Sequence, residues 1–149
     1  MALLEQINSD LKQALLAGDK ELVSVLRGLK SAILYEEVAQ NKRDDGLEEQ
    51  QVTTILQKEA KKRLESAELY DKGGSPERAA KERAEQEIIK AYLPQMMSDE
   101  EVEALVSTVI ADHPEVDKTK MGIVIGEVKK RSEGRADGAT IARLVKERL

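Results

Sequence analysis

The 149-residue chain has no cysteine, tryptophan or phenylalanine, and only three tyrosines, three prolines and one histidine. Without cysteine it can form no disulfide, no thiolate metal site and no cysteine nucleophile. The sole histidine, His113, precedes Pro114 at an expected helix end, where a surface role beside the negative end of the helix is the plain reading. One histidine and no cysteine leave out most zinc sites, and nothing in the chain calls for a metal or another cofactor. With so few aromatics, a core must be built from Leu, Ile, Val, Ala and Met, the residues that suit helix packing. No apolar run approaches the roughly 18 residues of a membrane helix. The start, Met1-Ala2-Leu3-Leu4-Glu5, lacks the basic-then-apolar order of a signal peptide. A cytoplasmic protein with no membrane association is expected.

Charge is plentiful but unevenly spread. Acidic residues outnumber basic ones by 29 to 24, for a net charge of −5. From Lys118 onward, however, nine Lys/Arg face four Asp/Glu, whereas Gln95 to Asp117 holds seven acidic residues and no basic one. An acidic helix therefore leads into a basic C-terminal segment. Such asymmetry suits a phosphate-facing surface, and it equally suits a solvated face kept for solubility.

Apolar periodicity gives about seven helices and no strand. The first covers Leu3 to Leu16, with Leu4, Ile7, Leu11, Ala14 and Leu15 inward and Gly18 as its stop. The second, Lys20 to Ala39, follows Asp19 as N-cap and carries Leu22, Val25, Leu26, Leu29, Ile33 and Leu34. After the Asp45-Gly46 turn, a third runs from Glu48 to Lys72, its expected face including Val52, Leu56, Ala60, Leu64 and Leu69. Gly73-Gly74 breaks it, and Ser75-Pro76-Glu77 opens a fourth whose stripe is Ala80, Ala84, Ile88 and Ala91. Leu93-Pro94 ends that helix and marks a boundary between residues 1–94 and 95–149. Ser98 to Glu101 forms a capping box for the fifth helix. A sixth spans Lys118 to Arg131, and Asp137 caps a seventh. The fold class is all-α: about four N-terminal helices, then a three-helix C-terminal domain.

Few arrangements carry chemistry. Gly73-Gly74-Ser75 has no strand before it, so it reads as a helix–helix turn and not as a nucleophile elbow. Glu82 and Glu85 share a helix face as acid/base work requires, but a solvated face is the simpler account. Gly122 and Gly126, four apart, suggest close backbone packing. Two basic groups stand out: Lys58, Lys61, Lys62 and Arg63 on the third helix, and the C-terminal set of Lys129, Lys130, Arg131, Arg135, Arg143, Lys146 and Arg148. The last helix opens with Gly138-Ala139-Thr140, whose backbone N–H groups can receive a phosphate. Without aromatics to stack on bases, recognition would be of RNA shape and phosphate.

Three stretches together resemble one family: Leu26-Arg27-Gly28-Leu29-Lys30-Ser31-Ala32-Ile33, Tyr92-Leu93-Pro94 preceded by Glu82 and Glu85, and Met121-Gly122 through Gly134-Arg135-Ala136-Asp137-Gly138. The chain is similar over nearly its whole length to the YqeY-like proteins of the GatB/YqeY group. That resemblance implies a helical domain followed by a compact three-helix domain like the tail of GatB, one component of the tRNA-dependent amidotransferase. In that enzyme the tail contacts the tRNA body and does no chemistry. The GatB catalytic cradle and the GatA amidase signature have no counterpart here. A carbon–nitrogen ligase activity would be inherited from the relative and has no support in these residues. The chain departs from the family at Gly73-Gly74-Ser75-Pro76-Glu77-Arg78, where relatives often place the arginine three positions earlier.

The expectation is a non-catalytic accessory protein that binds tRNA or structured RNA. Gly122 and Gly138 let a backbone come close, while Lys129, Lys130, Arg131, Arg135, Arg143 and Lys146 meet phosphate. Ser98 and Asp137 act as helix caps. The alternatives are an adaptor for a protein of the translation or amidotransferase machinery, and a component of a glutamine-dependent ligase.

Overall fold

In a computed structural model, which describes residues 2–149, seven α-helices account for the regular structure apart from one 3₁₀ turn. They are α1 (Leu3–Ala17), α2 (Lys20–Ala39), α3 (Glu49–Lys72), α4 (Pro76–Lys90), α5 (Asp99–Asp112), α6 (Met121–Ser132) and α7 (Gly138–Arg148); the 3₁₀ turn is Lys118–Lys120. No strand forms among the described residues, and Ile123 to Ile125, β-branched as they are, lie within α6. The chain divides into two units, one ending at Leu93 and the other Pro94–Leu149.

In the first unit, α1 and α2 form a hairpin through Gly18, whose φ of 72° is the left-handed conformation that only glycine adopts without strain. Asp19 caps α2 by accepting from the Leu22 N–H. Ile7 and Leu11 on α1 meet Leu26, Leu29 and Ile33 on α2, Leu56 on α3 and Ile89 on α4, which closes one apolar cluster. Tyr92, just beyond α4, donates its hydroxyl hydrogen bond to the Asp10 carboxylate on α1.

The far end of the α3–α4 hairpin is held differently. Its fully buried apolar residues are Ala67 and Ala79, small enough to let the two backbones approach. Arg83 pairs with Asp71, and Arg78 lies with its guanidinium 5.9 Å from the centre of the Tyr70 ring. The displaced arginine of the Gly73–Arg78 stretch is thus a stacking residue. This end also corrects two expected faces. On α4 the buried residues are Ala79 and Ile89, whereas Ala80, Ala84 and Ala91 are exposed. On α3, Leu69 is 68% exposed and Leu64 also faces solvent. Where ion pairs zip two helices together, half-buried Glu82, Glu85 and Gln86 replace an apolar stripe.

In the second unit, Val102, Val106 and Val109 of α5 pack with Val124 and Val128 of α6 and with Ile141, Leu144 and Val145 of α7. Ser98 caps α5, its hydroxyl oxygen accepting from the Glu101 N–H at 3.1 Å. The turn from α6 to α7 passes through left-handed Glu133 (φ 51°) and Gly134 (φ 79°). Arg135 then clamps it: the Arg135 Nε–H donates to the Gln95 carbonyl at 2.9 Å, and the Met97 N–H donates to the Arg135 carbonyl at 2.7 Å.

Candidate nucleic-acid interface

Three of the four arginines of the second unit pair with carboxylates, whereas exposed Arg135 has the Gln95 carbonyl as its partner and no ion pair among the described residues. Arg131 of α6 donates from Nη1 to Asp112 at the end of α5 (2.9 Å) and from Nε to Glu127 (3.0 Å). Arg143 of α7 lies 3.7 Å from Asp99, and Arg148 pairs with Glu103. All three arginines reach back to carboxylates of α5. The acidic run that precedes the basic segment in sequence is therefore its internal counterion. A guanidinium fork holds a carboxylate in fixed geometry better than an ammonium does, which fits arginine at these ties.

The lysines are left outward. Lys118, Lys120, Lys129, Lys130 and Lys146 are exposed, and none has an ion pair among the described residues. Two rows emerge from helical spacing. On α6, Gly122, Gly126 and Lys130 follow one another at intervals of four, all exposed. On α7, Gly138, Ala142 and Lys146 keep the same interval, with half-buried Ala142 between two exposed ends. A Cβ built on Gly122 or Gly126 meets nothing within 4 Å, so the glycine pair does not mark close packing inside the protein, as its spacing suggested. It opens a shallow face to the outside.

Lys129 joins the two rows. Its ammonium lies 3.8 Å from where a Cβ on Gly138 would stand, beside the first turn of α7. Asp137 occupies the N-cap position, but its carboxylate accepts no backbone hydrogen bond there, contrary to the expected capping role. It turns instead to the Thr140 hydroxyl at 3.4 Å. The first N–H groups of α7 thus keep no side-chain acceptor and lie beside the Lys129 ammonium, two donors that attract an anion, with the Asp137 carboxylate bordering them.

Of the residues expected at the interface, Gly122, Lys129, Lys130, Gly138 and Lys146 stand at this surface, while Arg131, Arg135 and Arg143 are engaged in ties within the unit. Gly126, Ala142, Lys118 and Lys120 lie outside the expected set. The interval of four in each row was the signal for the first two, whereas the 3₁₀ turn that sets Lys118 and Lys120 at the entry to α6 has none in composition. Elsewhere, His113 lies 3.6 Å from Glu115, and on α3 Lys62 and Arg63 both pair with Glu59. Arg63 also faces Glu85 at 3.7 Å, where burial, with Glu82 adding to it, pushes the Glu85 carboxyl above its ordinary pKa. Among the described residues no group of three or more acidic or histidine side chains is arranged to hold a metal ion, and no helix is long and apolar enough to cross a membrane.

Fold and surface together define an all-helical protein of two units with a cationic face on its C-terminal three-helix unit. The chain belongs to the Yqey-like protein family, whose model matches residues 4–149. It is 30% identical over 132 residues to a glutamyl-tRNA(Gln) amidotransferase component of the GatE type from Thermococcus gammatolerans, covering 86% of this chain and 19% of that protein. It is 40% identical over 78 residues to an aspartyl/glutamyl-tRNA(Asn/Gln) amidotransferase component of the GatB type from a Synechocystis strain, covering 47% of this chain and 14% of that one. A third relative, altered inheritance of mitochondria protein 41, mitochondrial, of Lachancea thermotolerans, is 32% identical over 71% of this chain and 57% of its own length. The chain thus spans a fifth or less of the amidotransferase components it matches and little more than half of the yeast protein.

Proposed function

We propose that the C-terminal unit binds the sugar-phosphate backbone of a structured RNA, with tRNA as its class, and that the protein is an accessory factor without chemistry of its own. The observation that carries the reading is the pairing of the Lys129 ammonium with the uncapped first turn of α7, flanked by the two glycine-to-lysine rows. The choice of tRNA draws on kinship with proteins named as components of tRNA amidotransferases. A cytoplasmic site of action is part of the same proposal. Phosphate contact by lysine alone suits recognition of shape, since a compact ammonium attracts charge without selecting a base edge. Amidotransferase activity itself is not part of the proposal.

The test is retardation of a tRNA transcript by the full chain over a salt series. Binding is expected at low salt, with log affinity falling linearly in log salt because phosphate contact releases counterions. Lys130→Glu with Lys146→Glu should weaken binding and lower the slope by about one for each contact removed. Equal affinity in the double variant sinks the interface, and no retardation at low salt sinks the RNA reading.

A further inference from the structure

A second surface, in the first unit, is unrelated to that cationic face. Leu15 of α1 and Leu34 of α2 fit the apolar period of their helices, yet they are 50% and 44% exposed. Both border a groove along the outer seam of the α1–α2 hairpin. The groove holds two hollows of about 470 and 460 Å³, and Arg27 lines both. Its floor is apolar: Leu4 and Leu11 from α1, Val23 and Ile33 from α2. Its charged lining is Lys20, Arg27 and Lys30 against a single acid, Glu37. None of the three cations has an ion-pair partner among the described residues. In a chain with five more acids than bases, three cations without an ion pair against one acid over an apolar floor is a local reversal of sign.

We infer that this groove docks an acidic amphipathic helix from a partner protein. From Val23 to Leu34 is eleven residues, about 16 Å at the helical rise, so the groove takes about three turns of a helix. The occupant sets apolar side chains at i, i+3 or i+4, and i+7 on the floor, in the manner of helix-in-groove recognition. Its Asp and Glu flank that stripe and face Lys20, Arg27 and Lys30, which supplies orientation and discrimination by charge. An apolar floor without an aromatic side chain offers nothing to a nucleobase, so RNA does not fit here. A second copy of this chain does not supply the occupant either. Its acidic helix, α5, already buries Val102, Val106 and Val109 in its own core.

The experiment titrates the full chain with a synthetic amphipathic helical peptide of about 14 residues, four turns long, carrying leucines on one face and glutamates on the flanks. Its twin with lysine in place of every glutamate serves as the comparison. Binding is read by fluorescence anisotropy and mapped by amide chemical shifts. The acidic peptide is expected to bind and to shift amides around Leu15, Arg27 and Leu34, and the lysine twin to bind at least about tenfold more weakly. Arg27→Glu with Lys30→Glu, both at exposed positions, should lower affinity for the acidic peptide by about tenfold or more and lift that of the lysine twin. Leu15→Ser, also exposed, should weaken both peptides, with the helical circular dichroism unchanged. Equal affinity for the two peptides, or shifts that map elsewhere, overturns the proposal. So does a dimer in sedimentation that Leu15→Ser abolishes, which would assign the groove to a second copy. Binding to anionic vesicles with no binding of the peptide would assign it to a lipid surface.

Discussion

The Arg131 guanidinium and the Asp112 carboxylate meet at 2.9 Å between the last turns of α6 and α5, and Glu127 holds the same guanidinium from within its own helix. Two carboxylates on one side chain leave little field for a phosphate, and both hydrogen bonds hold its charge more firmly than usual. Arg131 is a strut between helices that sequence alone groups with the free cations beside it.

Arg131→Ala should therefore lower thermal stability and leave tRNA affinity near that of the natural chain, while Lys130→Glu does the reverse. Thermal melts and retardation assays on the two variants separate the roles. A loss of binding on Arg131→Ala at unchanged melting temperature contradicts the assignment.

Tyr92 hydrogen-bonds Asp10 across 82 residues of sequence. Burial, then the hydrogen bond to Asp10, raise the phenol above its ordinary pKa, so it stays a donor throughout the physiological range. Tyr92→Phe keeps the ring and removes the donor. It should destabilise the first unit by about 1–2 kcal/mol, the lower part of what a hydrogen bond to a charged group contributes, because solvent screens this partly exposed site. Urea unfolding of this variant and of Asp10→Asn measures the pair. Additive losses in the double variant would contradict a direct bond.

Much of this architecture can be read from the residues. Gly18 and Asp19 set α2 to its observed start, the Leu26–Leu29–Ile33 spacing sets its buried face, and Ser98 sets the start of α5. The face of α4 could not be read in this way. Ala79, Ala80 and Ala84 are identical in type, and only the approach of α3 distinguishes the buried one. The interface was half legible for a similar reason. Composition marks nine cations after Asp117, but the α5 carboxylates that tie down the arginines lie 19 residues away for Arg131 and 45 for Arg148. No local pattern records pairings at that range.

Glu85 sets a pH dependence. Its carboxyl is half-buried, and burial raises its pKa, with Glu82 adding to the effect and Arg63 opposing it. The folded state therefore holds the proton more tightly than the unfolded chain does. Stability from this group is present at low pH and is lost as pH rises from the unfolded value through the raised folded one. Glu85→Gln removes that loss. The melting temperature of the variant, relative to the natural chain, should be higher near pH 7 than near pH 4. A difference independent of pH would falsify the account.

The open glycine face gives a test in which stability and binding move in opposite directions. Glycine in a helix interior costs about 0.5–1 kcal/mol relative to alanine. At Gly126 nothing lies within 4 Å of a new Cβ, so no clash offsets the gain from Gly126→Ala. The variant should be more stable by about that amount. A helix that retains two such residues on an exposed row gives up stability and gains room for close approach. If an RNA backbone comes near the row of Gly122, Gly126 and Lys130, the same methyl groups should weaken tRNA binding in Gly122→Ala/Gly126→Ala while unfolding shifts to higher denaturant. Increased stability with undiminished affinity would move the contact off this face and toward Lys129 and the first turn of α7.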